Sequence, residues 1–196
     1  MKLVVGLGNP DKQYDNTRHN VGFMLLDYIF DSNNFVLNKK MNAMEYITNI
    51  NGEKIVVIKP MTYMNLSGDA VIKYVNFYKI SLEDLVVIQD DLDMPLGRVK
   101  LISNHGDGGH NGIKDIVLKL GSKNFFRIKI GIGKSDLLET KDYVLGKFKA
   151  DDRDKLDKVF FRLRDVFCDY VSMKKDGFVQ KYNTKIQEDW LNEIFW

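Results

Sequence analysis

The stretch from Val4 to Phe23, VVGLGNPDKQYDNTRHNVGF, reads as a buried strand running into a glycine-rich polar loop and then into the start of a helix. Val21, Met24, Leu25, Tyr28 and Ile29 carry that helix on, recurring at i, i+3, i+4, i+7 and i+8 as an apolar stripe. A strand, a loop and a helix in this order open an α/β layer fold. Ligands of such folds bind at the carboxyl ends of the strands, so Asn9 and His19 fall at the mouth of the sheet. The chain has three histidines in all, and His19 is the one this stretch places there.

Outward from that stretch, Glu45 to Ile50 and Glu53 to Lys59 are rich in β-branched residues and flank Asn51-Gly52, a two-residue hairpin signal. Val71, Tyr74, Val75 and Tyr78 mark a second helix, and Ile113, Ile116, Val117 and Leu120 a third that stops at Gly121. Leu85 to Ile88, Arg98 to Ile102 and Phe125 to Ile132 read as further strands. The alternation predicts an α/β fold: a single domain over residues 1–196 with a mixed, mostly parallel twisted sheet, helices on both faces and a C-terminal helical segment. Strand signals stop after Thr140, and the text from Asp151 is helical and charged. It ends in an apolar tail of Trp190, Leu191, Ile194, Phe195 and Trp196, which is expected to dock as a helix.

Composition narrows the class. With 196 residues, 44% of them hydrophobic, the chain can bury a sizeable core. Cys168 is its one cysteine and has no disulfide partner within the chain. There is no charged-then-apolar leader and no long apolar run, so the expectation is a cytoplasmic protein without a membrane span. The formal charge is only +2, but Met94 to Lys149 holds eleven Lys/Arg against five Asp/Glu. That excess is either a solvated surface or the footprint of a polyanion.

Several catalytic layouts are missing. The chain has no G-x-S-x-G, no H-E-x-x-H and no C-x-x-C. Gly6 and Gly8 begin like a dinucleotide fingerprint, yet Asp11 stands where a third glycine belongs. Gly133-Lys134-Ser135 imitates the end of a phosphate loop, but the earlier glycine would fall on Ile128. What remains is a set of polar residues after apolar runs: Asn9, Asn65 in KPMTYMNLSG, Asp90 after VVI, and Asn111 in GDGGHNG.

Each of these has a plain reading too. Asn9 can be a turn former before Pro10, Asn65 and Asn111 helix caps, and His19 a structural histidine. Asp90, Asp91 and Asp93 can be a solvated acidic loop or ligands for a cation such as Mg²⁺. The functional alternative is that Asp90 orients His19, which takes a proton from water, while the asparagine amides hold a substrate carbonyl. Such a site hydrolyses an ester or amide without a covalent intermediate.

The blocks GLGNP with TRHNVGF, KPMTYMNLSG, DDLDMPLGRVKL, GDGGHNGIKDI and FFRIKIGIG resemble, in order and spacing, those of bacterial-type peptidyl-tRNA hydrolases. The resemblance runs from about Lys2 to Lys149 and more loosely to Asn183. It implies a metal-free, cofactor-free monomer that cleaves the ester between a peptide and the 3′ ribose of tRNA. It also implies His19 as general base with Asp90 as its partner. Asn9, Asn65 and Asn111 become substrate-binding amides, Tyr14, Tyr63 and Met64 cleft-lining residues, and His110 a structural or channel-lining position. A cationic clamp on a tRNA phosphate is implied at Lys129; its second position is Ile102, which cannot bind phosphate, so the clamp is either halved or relocated to Arg98 or Lys100. Asp11 replaces the glycine after GNP, Gln89 an aromatic or histidine, and residues 184–196 extend past the usual end of such chains. The same resemblance admits a catalytically silent RNA-binding relative, and GLG alone a nucleotide-binding enzyme.

Overall fold

A computed structural model describes residues 1–173 together with Gly177, Phe178 and Lys181. The expected helical docking of the tail at 184–196 lies outside the described residues. Seven strands form one sheet: β1 (Lys2–Gly6), β2 (Val36–Asn38), β3 (Ala43–Ile50), β4 (Glu53–Pro60), β5 (Leu85–Asp91), β6 (Val99–Ser103) and β7 (Phe126–Gly131). Over residues 1–173 five helices accompany them: α1 (Val21–Phe30), α2 (Ser67–Tyr78), α3 (Asn111–Leu120), α4 (Thr140–Leu145) and α5 (Ala150–Ser172). The strand order is β2-β3-β4-β1-β5-β7-β6. The four central strands run parallel, β2 and β3 add antiparallel pairing at one edge, and β6 does so at the other.

Alternation along the central strands builds two cores. Val4, Ile55, Val57, Val86, Ile88 and Ile128 face α1 and α5. Leu3, Val5, Val56, Ile58, Leu85 and Val87 face α2 and α3. Both faces of the sheet are therefore covered, as the near-continuous apolar strands predict. The hairpin forms at Asn51 and Gly52 with φ of 52° and 84°, the positive-φ pair that a tight turn of this hand requires.

Gly6 and Gly8 serve helix packing rather than a pyrophosphate. A Cβ on Gly6 would lie 2.6 Å from the Gly22 carbonyl oxygen, and one on Gly8 would lie 2.7 Å from the Phe23 ring. They let the first turn of α1 sit directly on the end of β1.

Sequence and structure part at three places. The fifth strand continues through Asp90 and Asp91 instead of stopping at Ile88, so both acids are buried strand residues and not an open loop. The edge strand β2, three residues long, carries too little periodicity to be read. Helix α4 begins at Thr140, where the sequence shows only the end of the strand signals. Among the described residues no helix is long and apolar enough to cross a membrane.

Candidate active site

The chain leaves β1 toward β4 on one side and places β5 on the other, so the sheet order reverses beside β1. A crevice opens there at the carboxyl ends of the strands. It is a cleft of about 920 Å³ lined by Asn9, His19, Tyr63, Met64, Asn65 and Asp90, and further by His110, Asn111 and Lys129.

His19 sits in a single 3₁₀ turn, Arg18–Asn20, just before α1. Its Nδ1 lies 2.9 and 3.0 Å from the two carboxylate oxygens of Asp90. A carboxylate accepts, so Nδ1 carries the proton and Nε2 is left with its lone pair. Among the described residues Nε2 has no hydrogen-bond partner. Asp90 is 3% exposed and takes a second imidazole: His110 Nε2 lies 2.9 Å from Oδ1. The His110 ring is fixed from behind, because its Nδ1 accepts the backbone N–H of Ile113 at 3.3 Å and so caps α3. That acceptor role assigns the His110 proton to Nε2, where it is donated to Asp90. Burial, the largest single influence, pushes the Asp90 carboxyl up. The electrostatic attraction and the hydrogen bonds of the two imidazoles together outweigh it and hold the group well below the usual carboxylate range.

The amides divide into two kinds. Asn9 is buried, and its Oδ1 accepts the N–H of Met64 at 2.8 Å, which joins the loop after β1 to the loop after β4. Its Nδ2 is left without a partner among the described residues. Asn65 and Asn111 are exposed on the cleft wall, and their side chains make no hydrogen bond among the described residues. Neither is a cap: Asn65 lies inside the 3₁₀ turn Met64–Leu66, and His110 has taken the capping position of α3. Asn9, likewise, is a tie between loops and not merely a turn former.

Two supporting residues escaped the sequence reading. Asn20 grips the backbone of Asn9 from both sides, its Oδ1 accepting from Asn9 N–H at 2.8 Å and its Nδ2 donating to the Asn9 carbonyl at 3.0 Å. Arg18 lays its guanidinium 4.2 Å from the Tyr143 ring centroid and donates to the Tyr143 carbonyl, tying the His19 turn to α4. Single polar residues on either side of a histidine carry no period that would have revealed either. Tyr14 does not line this cleft; its carbonyl instead holds Thr17.

The acidic-loop reading fails on geometry. Asp90 and Asp91 are consecutive strand residues and so point to opposite faces. Asp90 serves the two histidines, while Asp91 pairs with Lys129 and accepts the N–H of Asp93. His19, Asp90 and His110 are three potential ligands brought together. However, both ring nitrogens approach carboxylate oxygens at hydrogen-bond length, and each ring N–H is aimed at that carboxylate. Lys129 lines the cleft with its charge already paired. Lys100 is exposed and stands directly across from Lys129 in the β6–β7 register, whereas Arg98 is exposed just before β6. The Ile102 side chain is partly buried opposite Arg127.

An imidazole with a free nitrogen, an ionised carboxylate and unpaired carboxamides around one crevice are the parts of a hydrolytic enzyme. The sequence model of the peptidyl-tRNA hydrolase family matches residues 3–189. A peptidyl-tRNA hydrolase of Clostridium novyi is 43% identical over 184 residues, covering 93% of this chain and 98% of that protein. One from Levilactobacillus brevis is 44% identical over 173 residues, covering 88% and 94%. A crystal structure of a point mutant of Acinetobacter baumannii peptidyl-tRNA hydrolase superposes with a TM-score of 0.85 at 34% identity, covering 94% of this chain and 95% of that one. The chain belongs to the peptidyl-tRNA hydrolase family, whose members are ester-hydrolysing enzymes of translation.

Proposed function

We propose that this protein releases the peptide from peptidyl-tRNA by direct attack of a water molecule on the ester, with His19 as the base and no covalent intermediate. The observation that carries this reading is the His19 Nδ1–Asp90 contact, which leaves Nε2 unprotonated and facing a cleft. Asp90 fixes the tautomer and stabilises the imidazolium formed when water gives up its proton. His110 donates to the same carboxylate, so the anion cannot swing away from His19. Among the described residues that line the cleft there is no serine or cysteine.

The carbonyl oxygen of the ester becomes negative as water adds, and amide N–H groups near it stabilise that charge. Asn9 fits this role through Nδ2, since its Oδ1 is occupied by Met64. Asn65 and Asn111, with both ends of each amide free, fit the peptide backbone, which offers donors and acceptors alike. Met64 and Tyr63 supply the apolar wall beside them. The reading makes the 3′ end of tRNA and the attached peptide the partners, and it involves neither a membrane nor a second subunit.

The test is peptide release from N-acetylated aminoacyl-tRNA. The expected result is turnover that survives treatment with a strong chelator, because His19, Asp90 and His110 satisfy one another without an ion. Loss of activity restored by Mg²⁺ or Zn²⁺ overturns this account of the three residues.

The phosphate clamp is best supplied by Lys100 beside Lys129. Lys129 is held by Asp91, whereas Lys100, exposed directly across from it on β6, makes no ion pair among the described residues and is available to a phosphate. Lys100→Ala is expected to lower the slope of log binding constant against log salt for tRNA by roughly 0.7–0.9, the value for one lost phosphate contact. An unchanged slope removes Lys100 from the tRNA path.

A further inference from the structure

Asp11 stands in a backbone conformation that favours glycine, with φ of 74° and ψ of 136°. A residue with a Cβ is strained there, and such strain persists where something else gains from it. Asp31 offers an internal comparison, with φ of 58° and ψ of 122° at the same position, just before a 3₁₀ turn. Its carboxylate is used locally and accepts the N–H of Asn33 at 3.0 Å. The Asp11 carboxylate makes no such cap to its own turn, Lys12–Tyr14. It accepts instead from the hydroxyl of Tyr63 at 2.8 Å, across 52 residues of sequence.

That bond joins the two loops that also carry Asn9 and Asn65. Asn9 and Met64 tie these loops at their buried base, and Asp11 and Tyr63 tie them at the rim. Tyr63 is half exposed and lines the cleft; Asp11 lines a smaller neighbouring cavity of about 480 Å³ that shares Asn9 as a wall. A tyrosine at the rim without a partner samples several rotamers, and fixing one of them removes an entropic cost from binding.

We propose that Asp11 is a positioning residue that latches the Tyr63 ring in place as a preformed wall of the substrate cleft, and that this latch strengthens binding of the peptidyl-tRNA 3′ end. The inference rests on the substrate assigned above. The Tyr63 hydroxyl has its pKa raised by the hydrogen bond and negative charge of Asp11, so the hydroxyl remains the donor. Because the wall is formed before substrate arrives and is kept through the reaction, the latch acts on KM and leaves kcat nearly alone.

The experiment compares Asp11→Gly, Tyr63→Phe, the double variant and Asp11→Asn in the full chain. The readouts are KM and kcat on N-acetylaminoacyl-tRNA, and Kd for the analogue in which an amide replaces the ester. Each single loss is expected to raise KM and Kd about three- to tenfold, the effect of one hydrogen bond, with kcat within about twofold of the parent. The double variant should be no worse than the singles, and Asp11→Asn, whose amide oxygen still accepts, should restore the parent values. The melting temperature of Asp11→Gly should equal or exceed the parent's, because glycine relieves the strain. Unchanged Kd, independent multiplication of the two single effects, failure of asparagine to rescue, or a drop in melting temperature overturns the latch. A parent that binds the analogue but does not turn over the ester refutes the proposed function while leaving the Kd comparison decisive for Asp11.

Discussion

His19→Ala is expected to lower kcat for peptide release by about 10²–10⁴-fold, the usual contribution of a positioned acid or base, while tRNA still binds. The expectation follows from where the free ring nitrogen of the two cleft histidines lies. Nδ1 is committed to Asp90, and His110 cannot substitute, since its own Nδ1 holds the Ile113 N–H and its Nε2 points at the same carboxylate. Removing His19 therefore leaves the cleft with two orienting groups and nothing to orient. Full turnover by the alanine variant in a single-turnover assay would falsify the assignment. A rise in KM with kcat intact would move His19 from proton transfer to substrate binding.

Asp90→Asn should cost nearly as much, roughly 10²–10⁴-fold in kcat, although it removes only a charge. An asparagine offers one oxygen and one NH₂ group where the carboxylate offers two oxygens. Asp90 Oδ1 faces both imidazoles and Oδ2 faces His19 alone. The amide oxygen then serves His110, whose proton is fixed on Nε2, and the NH₂ confronts His19 Nδ1. His19 relieves the clash by moving its proton to Nε2, which blocks the lone pair that water needs. The structure should be retained, so circular dichroism and tRNA affinity stay near the parent values while release collapses. Activity close to the parent's would mean that the tautomer does not matter.

The charge also carries a pH dependence. Because the folded state holds the Asp90 carboxyl below its ordinary value of 3.8, its stabilising contribution is present above that value and is lost as pH falls toward the lowered one. Asp90→Asn removes this contribution, so acid unfolding of the variant should lose the component that begins near and below pH 3.8 in the parent.

Much of this site is legible in the chain because it lies where strong local signals end. The apolar strand before Asn9, the hairpin before Asn65 and the strand before Asp90 each fix a carboxyl end, and an open α/β sheet gathers such ends together. What could not be read depends on partners distant in sequence. The role of His110 as a cap looks the same in sequence as that of Asn111, and only the bond to Ile113 decides between them. Polar residues usually end an apolar strand, so Asp90 reads as the start of a loop; burial against two imidazoles keeps it inside β5. Tyr14 carries an aromatic ring close to Asn9 in sequence, but its 3₁₀ turn leaves it off the cleft wall. Asn20 follows His19 directly, yet nothing in its neighbours announces that it grips the Asn9 backbone.

That grip has a consequence for how the enzyme tolerates its surroundings. The base of the crevice is held by a relay of carboxamides, Asn20 to the Asn9 main chain and Asn9 to Met64, none of which gains or loses charge with acidity or is weakened by counterions. Acid or brine can alter which groups hold protons and how firmly a polyanion adheres, but it neither protonates nor screens these carboxamide ties. Above the acid range in which Asp90 takes up its proton, a titration of this protein should thus report proton occupancy, with the base of the crevice keeping one contour.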